Sequence, residues 1–465
     1  MALTVSLDDI VAGGNSLLAA KPHWERVRLG DVGQVLNGYA FKAELFTRDG
    51  GMPLIRIRDV GSPASETFYS GDFDERYVVS AGDLLVGMDG DFNCARWRGP
   101  LSLLNQRVCK ITVDEALYLP RFLDYVLPGY LKAINDATSS ITVKHLSSRT
   151  IQDIPLPLPP LDEQREIVAE LEKQFSRLDE AVANLQRVKA NLKRYKASVL
   201  KAAVEGRLVE TEASLAHRED RTYETGEQLL QRILEERRTK WALKKKYVEP
   251  ATAERSLIES VPEGWAEASV EQISQLVEYG SSSKTSDDLT GIPVLRMGNI
   301  FEGELRFDEL KYLPSDHEEF PKLLLKDGDL LFNRTNSPEL VGKVAVFRSK
   351  PTNYSFASYL IRVRTLAGAL PEFLAAYINS SFGRQWVKSV VTQQVGQANV
   401  NGTKLQALSV PLPPFPEQTR IVAEVDRHLS IIREVEAEVD TNLKRAQALR
   451  QSTLAKAFGV EGRQI

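Results

Sequence analysis

Cysteine is scarce in this chain of 465 residues, since only Cys94 and Cys109 occur. Two cysteines provide neither a disulfide framework nor a four-ligand zinc site, and no cysteine and histidine spacing is typical of a metal site. Long apolar runs are missing, and the N-terminal residues lack the basic start and apolar core of a signal peptide. These absences exclude a disulfide-rich secreted protein and a helical membrane protein. We expect a chain that resides in the reducing cytoplasm without membrane contact.

Motifs of cofactor-dependent enzymes are absent as well. The sequence has no glycine-rich strand–turn–helix motif for S-adenosylmethionine and no NPPY-like tetrapeptide that would hold a flipped adenine. The segment VGKVAV (341–346) lacks the upstream glycine and the hydroxyl residue of an ATP-binding loop. No nucleophile with a plausible base and no convincing carboxylate pair is found. We therefore expect no catalysis, no bound cofactor and no metal in this chain alone.

Basic residues are not in excess, because 59 lysines and arginines face 63 aspartates and glutamates, which gives a formal net charge of −4. A dedicated DNA-binding protein is more often basic, since neutralisation of phosphates supplies much of the affinity. The charge balance counts against nucleic-acid binding by the whole surface. It leaves room for binding through a few loops while the remaining surface contacts other proteins.

The most informative feature is an internal duplication. The segment IPLPLPPLDEQREIVAELEKQFSRLDE, which starts at Ile154, returns as LSVPLPPFPEQTRIVAEVDRHLSIIRE, which starts at Leu408. Weaker similarities precede both copies, as between MPLIRIRDV (52–60) and IPVLRMGNI (292–300). Each half thus has a globular region, a proline-rich joint and a long helix. Short apolar runs separated by Gly, Asp, Asn and Pro predict a strand-rich mixed α/β domain in each globular region.

Heptad patterns predict the two long helices. Each begins after a PLPP sequence, and apolar residues then recur in steps of four and three over more than 30 residues. At 1.5 Å per residue such a helix runs on the order of 65 Å, which is too long for one small domain to bury. The helices are therefore expected to pack on each other, in an antiparallel arrangement because a globular region separates them. The apolar positions are Val168, Leu171, Phe175, Leu178, Val182, Leu185, Leu192 and Val199, and Val422, Val425, Leu429, Ile432, Val439, Leu443 and Ala446.

Two copies of this order resemble the family of type I restriction-modification specificity subunits. The resemblance covers nearly the whole chain and is carried by a PLPP joint, an E-Q-x-x-I-V motif and an S-x-L-x-x-A motif near the helix end. Its residues are Pro157, Pro159, Pro160, Glu163, Gln164, Ile167, Val168, Ser198, Leu200 and Ala203, and Pro411, Pro413, Pro414, Glu417, Gln418, Ile421, Val422, Ser452, Leu454 and Ala457.

The resemblance implies both an architecture and a function. Two target recognition domains would each read one half of a bipartite double-stranded DNA site, and antiparallel coiled-coil helices would set the gap in a pseudo-two-fold repeat. The helices would bind two methyltransferase subunits, restriction subunits would join for cleavage, and S-adenosylmethionine, ATP and Mg would be bound by these partners. The expected parts are a first recognition domain (1–160), a first helix (161–205), a linker with a helix (206–261), a second recognition domain (262–414) and a second helix (415–459).

Candidate contacts with DNA are polar side chains on the predicted loops, because base edges and phosphates are read by amide, guanidinium, ammonium and hydroxyl groups. In the first domain they are Tyr39, Lys42, Arg56, Arg58, Asp91, Asn93, Arg96, Asn105, Gln106, Arg107, Lys144 and His145. In the second they are Ser282, Ser283, Lys284, Arg296, Asn299, Asn333, Arg334, Asn336, Lys343, Gln397, Asn399, Asn401 and Lys404. The residues expected to contact partner subunits are Glu163, Gln164, Ile167, Val168, Glu417, Gln418, Ile421 and Val422.

Alternative interpretations remain open at this point. Many of these residues are also typical of ordinary turns and polar hairpin tips, as for Asp89, Asp91 and Asn93 beside glycines. The chain could be a coiled-coil adaptor whose globular domains bind protein without reading DNA, and the acidic composition favours that alternative. It could also be a divergent DNA methyltransferase or nuclease, which would bind S-adenosylmethionine or a divalent metal in isolation.

Overall fold

A computed structural model describes residues 6–13, 18, 20–138, 144–240, 247–253, 257–337, 340–394 and 397–459. The chain divides into two compact units. Unit 1 consists of Met1–Gln186 and Asp440–Ile465, and unit 2 consists of Arg187–Val439. Within the described residues, no helix has the length and apolar composition needed to cross a membrane.

Unit 1 contains three sheets. The central sheet has the order β2-β10-β7-β8, a second has the order β3-β5-β4-β9-β6, and β1 pairs with β11. The strands are β1 (Glu25–Arg28), β2 (Gly33–Asn37), β3 (Phe46–Thr47), β4 (Met52–Ile55), β5 (Phe68–Tyr69), β6 (Val78–Val79), β7 (Leu84–Gly87), β8 (Cys94–Arg96), β9 (Ser102–Leu104), β10 (Val108–Val113) and β11 (Pro155–Leu158). The helices that lie wholly within this unit are α1 (Leu7–Ala12), α2 (Leu29–Val32), α3 (Pro120–Ala137) and α4 (Ser148–Gln152).

The two long helices are α5 (Leu161–Val204) and α12 (Phe415–Ala457). Unit 2 adds the helices α6 (Glu212–Arg218), α7 (Gly226–Lys240), α8 (Val270–Ile273), α9 (Pro371–Asn379), α10 (Ser381–Val390) and α11 (Gly402–Gln406). Its strands are β12 (Ala266–Ser269), β13 (Ser274–Tyr279), β14 (Ile292–Leu295), β15 (Ile300–Phe301), β16 (Glu304–Leu305), β17 (Lys311–Leu313), β18 (Leu330–Asn333), β19 (Thr335–Asn336), β20 (Val344–Val346), β21 (Ser355–Phe356), β22 (Leu360–Thr365), β23 (Thr392–Gln394), β24 (Gln397–Asn399) and β25 (Ser409–Leu412).

The two globular regions share one strand topology. The central sheet of unit 2 has the order β13-β22-β18-β20, which corresponds strand for strand to β2-β10-β7-β8 of unit 1. Strand β12 pairs antiparallel with β25 as β1 does with β11, and β14 runs parallel to β21 as β4 does to β9. The internal repeat therefore extends through the globular regions, although their sequences have diverged. The expected mixed α/β fold class is confirmed.

Apolar side chains on one face of a helix close the core of each globular region. In unit 1, α3 starts with proline at its first turn and buries Phe122, Leu127 and Tyr130 against Val86 and Ile111 of the central sheet. In unit 2, α9 also starts with proline and buries Leu374, Tyr377 and Ile378. The same helix position and the same sheet order thus give each half its own core.

The long helices α5 and α12 pack together, as the heptads predict. In unit 1 the guanidinium of Arg450 lies 4.4 Å from the Phe175 ring centroid and donates to Asp179 at 2.6 Å. In unit 2 the start of α12 packs against the end of α5, with Ile421 in the same cluster as Ala203. A late residue of α12 meets early residues of α5 in unit 1, and an early residue of α12 meets a late residue of α5 in unit 2. The helix segments therefore run antiparallel.

A buried charge network fixes the central sheet of unit 2. Asp329 is fully buried and accepts two hydrogen bonds of 2.7 Å from Arg364. Arg362 is 1% exposed, donates to the carbonyls of Leu324 and Lys322, and pairs with Glu278. Because a buried ion that loses its partner keeps its desolvation penalty, the network is sensitive to any single removal.

Asp329→Asn is expected to lower the free energy of unfolding by about 3–5 kcal/mol, because it removes the carboxylate shared by the buried Arg362 and the partly buried Arg364. Urea unfolding of the full chain measures this loss. The control is Asp287→Asn, which breaks the exposed pair with Lys311 and should cost less than about 1 kcal/mol. Equal midpoints for the two variants would contradict the expectation.

Candidate nucleic-acid interface

The glutamine of each E-Q motif joins a long helix to its globular region. Gln164 is fully buried, accepts from the Leu119 amide at 2.8 Å, and donates to the carbonyls of Leu117 and Pro159 at 3.1 and 2.9 Å. Leu119 is the residue before α3, where an amide has no partner within the helix. The glutamine therefore ties the start of α5 to the start of α3.

The second repeat builds the same joint. Gln418 is 1% exposed, accepts from the Leu370 amide at 2.9 Å and donates to the carbonyls of Gly368 and Pro413. Leu370 directly precedes α9, as Leu119 precedes α3. The two joints use the same atoms in the same roles. The E-Q motif thus has a structural role in both halves of the chain.

The adjacent glutamate binds a tryptophan indole in each repeat. Glu163 accepts from Trp24 at 2.9 Å and from Lys21 at 2.6 Å, and Glu417 accepts from Trp265 at 2.9 Å. The Lys21 ammonium is the main reason that the pKa of Glu163 is lowered. Burial is the main reason that the pKa of Glu417 is raised, although the Glu212 amide and the indole partly oppose it. The same contact is therefore more deeply enclosed in the second repeat.

These joints contain most of the residues expected to contact partner subunits. Gln164, Glu417, Gln418 and Ile421 are enclosed by their own chain, whereas Glu163 keeps 22% of its side chain exposed. Ile167 and Val168 are each 9% exposed, and Val422 is half-buried. A buried side chain offers no surface to another subunit. The structure therefore places the enclosed residues in the joints, and the expectation that this motif contacts a partner stays a prediction.

Polar side chains gather at one end of the central sheet of unit 1. Its backbone frame is held by hydrogen bonds from the Met88 amide to the Arg107 carbonyl (2.8 Å) and from the Leu146 amide to the Met88 carbonyl (2.7 Å). Gly38 lies so close to Asn105 that a Cβ would stand 2.0 Å from its carbonyl oxygen. We call this frame (87–89, 105–108 and 144–146) the first loop edge.

An exposed charge cluster occupies the first loop edge. Arg107 has φ 73°, which is uncommon for a residue with a side chain, and it donates to Asp89 at 3.0 Å. His145 also bonds Asp89, at 2.6 Å. Arg107 and His145 remain 56% and 41% exposed. One carboxylate therefore holds two nitrogen-rich side chains at the surface.

The corresponding end of the unit 2 sheet has the same backbone frame. The Arg334 amide donates to the Tyr359 carbonyl at 3.0 Å, and the Val400 amide donates to the Arg334 carbonyl at 2.9 Å. Gly280 also approaches backbone closely, since a Cβ would stand 2.3 Å from the Phe356 carbonyl oxygen. We call this frame (333–335, 357–360 and 398–400) the second loop edge.

Different side chains occupy the second loop edge. The Arg334 guanidinium lies 4.7 Å from the ring centroid of Tyr279, whose hydroxyl accepts from the Gly402 amide at 2.7 Å. Tyr279 and Tyr359 are 43% and 48% exposed. The two frames place Tyr359 where unit 1 has Arg107, and Asn399 where unit 1 has His145. One scaffold thus presents two chemistries.

The structure brings many of the predicted DNA contacts to these edges and their flanks. In unit 1, Arg56 follows β4, whose Ile55 carbonyl accepts from the Asn105 amide at 3.3 Å. The exposed candidates of unit 1 are Tyr39, Lys42, Arg56, Arg58, Asp91, Asn93, Gln106, Arg107 and His145. Those of unit 2 are Ser282, Ser283, Lys284 and Asn401, whereas Arg296, Arg334, Asn336, Lys343 and Asn399 are half-buried. The side chain of Gln397 lies outside the described residues.

Other candidates are used inside the fold. Arg96 is bound to Asp124 at 2.7 Å, and Lys144 to Asn135 at 2.9 Å. Asn299 is 5% exposed, and its amide nitrogen donates to two backbone carbonyls. The remaining three are Lys404, which donates to the Val390 carbonyl, and Asn105 and Asn333, which are 6% and 1% exposed. These six side chains are held by their own chain or enclosed by it.

Tyr359 and the indole partners of the joints were not among the residues predicted from the sequence. Tyr359 was not a candidate, because a tyrosine directly before the mostly apolar run LIRV is typical of a strand. Trp24 and Trp265 recur at matching places before the two globular regions. That recurrence was a usable signal for a shared partner, which the structure identifies as the glutamate of the E-Q motif.

The described part of the chain offers little catalytic chemistry. Burial raises the pKa of the Cys94 and Cys109 thiols to about 12, so both stay protonated at neutral pH and are poor nucleophiles. No group of three or more His, Cys, Asp or Glu side chains among those residues is arranged to hold a metal ion.

Two globular regions of one topology, each joined to a long helix and each ending in a polar edge, define a duplicated recognition protein. The sequence model described as "Type I restriction modification DNA specificity domain" matches residues 22–193 and 262–444. The chain belongs to the family of type I restriction-modification specificity subunits. A specificity subunit is a non-catalytic component of the type I enzyme complex, and the expected function class is confirmed.

Curated relatives support this assignment, and a solved structure supports the fold. The type I restriction enzyme EcoBI specificity subunit of Escherichia coli is 35% identical over 96% of this chain and 87% of the relative. The EcoKI specificity subunit of Escherichia coli strain K12 is 25% identical over 94% of this chain and 88% of the relative. A chain from a structural study of type I R-M complex assembly and conformational transition covers 95% of this chain and 99% of its own length, with 17% identity and a TM-score of 0.63, and supports the fold alone.

Gln164→Ala is expected to lower the free energy of unfolding by about 2 kcal/mol, because the partly buried Leu119 amide loses its acceptor. Thermal or urea unfolding of the full chain measures the loss. Gln174→Ala on the same helix is the control, since Gln174 is exposed and bonds only Glu170 among the contacts described for it. If both variants unfold at the wild-type midpoint, the joint contributes no stability.

Proposed function

We propose that the first and second loop edges each read one half of a bipartite double-stranded DNA site. The observation that carries this proposal is the pair of matched frames, in which identical backbone hydrogen bonds support different side chains. A reader of two unlike half-sites needs one stable scaffold and a variable set of donors and acceptors. Tyr359 in place of Arg107, and Asn399 in place of His145, supply such a difference.

The chemistry of the edges suits base and phosphate contacts. Guanidinium groups pair with guanine, amides pair with adenine, and both also bind phosphate. Arg107 and Gln106 provide these groups on the first loop edge, and Arg334 and Asn399 provide them on the second. The exposed Tyr39 and Tyr279 flank the edges and add aromatic surface. Residues 1–160 and 262–414 would then be the two recognition domains.

The remaining parts would position these domains and assemble the enzyme. The spacer helices would be residues 161–205 and 415–459, and a linker would span residues 206–261. The eight residues of the two E-Q-x-x-I-V motifs would affect partner binding indirectly, because they set the direction of each helix. Apolar side chains exposed on the helices, namely Val188, Tyr195, Ile431 and Leu449, are suited to cover by two methyltransferase subunits. Restriction subunits would complete the complex, with S-adenosylmethionine, ATP and Mg on the partners. The unpaired cysteines agree with a cytoplasmic location.

Methylation mapping tests the proposed function directly. The chain is co-expressed with the methyltransferase encoded beside it, and methylated adenines are located in the host genome by single-molecule sequencing. We expect a two-part motif with a fixed unspecified gap, one half of which changes when residues 262–414 are exchanged for those of a relative. Methylation that does not depend on this chain, despite a stable complex, would contradict the proposal.

Arg334→Ala is expected to weaken binding to the methylated motif by about 1–3 kcal/mol and to weaken binding to random duplex less, because a base contact contributes only at the specific site. Fluorescence anisotropy with the two duplexes measures both losses. Arg348→Ala is the control, since Arg348 is exposed on the same domain and pairs with Asp327 and Glu372. Equal losses on both duplexes would make Arg334 a phosphate contact.

A further inference from the structure

Lys343 lies beside the second loop edge. It follows the turn between β18 and β20, where its carbonyl accepts from the Asn333 amide at 2.9 Å and the Gly342 amide donates to the Asn333 carbonyl at 2.7 Å. Asn333 directly precedes Arg334 of the edge. The side chain of Lys343 is half-buried, so this cation is held against the fold at the end of the sheet that carries the reading groups.

Helix α10 places a second cation at the same turn. Arg384 donates to the Val341 carbonyl at 2.6 Å. Val387 packs so closely against the turn that a Cβ on Gly342 would stand 2.4 Å from it. The turn and the helix therefore pack as one rigid support. Arg384 is bound to Val341, two residues before Lys343, so both cations lie at the start of β20.

Helix α5 brings further lysines to this surface. The Lys196 ammonium donates to the Glu302 carbonyl at 2.9 Å and lies 3.6 Å from the Glu302 carboxylate. Glu302 sits at the tip of the β15–β16 hairpin, which packs against β20 directly after Lys343. Lys193 lies on the same face of α5, three residues before Lys196, and is exposed. The cations of the helix thus adjoin those of the globular region.

The pKa of Lys343 reflects this crowding. Burial lowers it most, and the charges of Arg384, Lys193 and Lys196 lower it further, while Glu302 opposes them. Three cations and one carboxylate thus act on the Lys343 ammonium, in a chain whose net charge is −4. Like charges held together by rigid elements are relieved by an anion, and a row of them fits a row of phosphates.

The equivalent place in unit 1 is not built this way. The residue before β8 is Asn93, and the residues of α12 that match Lys193 and Lys196 in the repeat are Gln447 and Arg450. Arg450 is paired with Asp179 at 2.6 Å and lies over the Phe175 ring. The basic surface is therefore a property of unit 2.

We propose that Lys193, Lys196, Lys343 and Arg384 form a phosphate-binding surface that holds the DNA backbone next to the bases read by the second loop edge. This inference rests on the proposed function and deepens it, because the surface continues directly from Arg334. It assigns part of the affinity for DNA to a helix that otherwise serves as a spacer. It also makes the backbone contacts of the two half-sites unequal.

The protein arm of the test removes two charges and keeps the residues that bond backbone carbonyls. The double variant Lys193→Gln with Lys343→Gln is compared with Lys173→Gln, an exposed lysine elsewhere on α5. Binding of the full chain, in complex with its methyltransferase, is measured on motif and random duplexes over a series of salt concentrations. The slope of log affinity against log salt concentration should become shallower by about 1.8 on both duplexes for the double variant. The affinity of the double variant relative to wild type then changes about ten-fold over a roughly four-fold rise in salt.

The DNA arm leaves the protein unchanged. Neutral methylphosphonates replace phosphates around each half-site, and replacements beside the second half-site should weaken wild-type binding while leaving the double variant unaffected. An unchanged salt slope, or equal sensitivity of the variant to the neutral linkages, overturns the inference. The inference is also overturned if the double variant no longer binds the methyltransferase but still binds DNA as the wild type does. The surface would then be a protein interface. Failure of the proposed function is separate, because wild-type protein would then show no preference for the motif duplex.

Discussion

The buried glutamine at the start of each long helix is the constraint on which the rest of the structure depends. Gln164 and Gln418 each satisfy one amide and two carbonyls at the point where a helix leaves its globular region. A helix of about 65 Å magnifies any error at its base, since a rotation of roughly 10° moves the far end by about 11 Å. A protein that reads two separated half-sites tolerates little of that movement, because half-site spacing is set by geometry. Under the proposed function, rigid hydrogen bonding at the joint would be a requirement for reading both half-sites as well as a source of stability.

The long helices and the repeat could be predicted because each copy is recognised from residues that are close together in the sequence. Heptads, the PLPP joint and the absence of glycine in the helices are all read along a short stretch of chain. The role of the E-Q motif could not be predicted, because the partners of Gln164 are backbone atoms of Leu117 and Leu119, far away in sequence. Every residue has a backbone carbonyl, so the residue type does not reveal which carbonyl accepts a hydrogen bond. The contact made by the glutamate of the motif could have been inferred, because Trp24 and Trp265 recur together with Glu163 and Glu417.

The loop edges illustrate a second limit of the sequence. Amide-rich and arginine-rich loops were predicted to contact DNA, and the structure brings Gln106, Arg107 and Arg334 to the ends of equivalent sheets. The same criterion also selected Asn299, whose amide is used by its own backbone. Residue type alone does not distinguish an amide that closes a turn from one that faces solvent. The match between Arg107 and Tyr359 was equally hidden, because it depends on hydrogen bonds between strands and not on sequence similarity.

An acidic chain that binds DNA is consistent with the distances over which charges act. At physiological ionic strength, exposed charges separated by more than about 8 Å are largely screened, so the net charge of −4 says little about any one surface. On the proposed surface, Lys193, Lys196, Lys343 and Arg384 would act on a phosphate that lies among them, whereas distant carboxylates would not. The acidic remainder also lowers affinity for DNA that approaches from other directions. Cations placed beside the proposed reading groups would therefore make phosphate binding depend on the orientation in which those groups reach the bases.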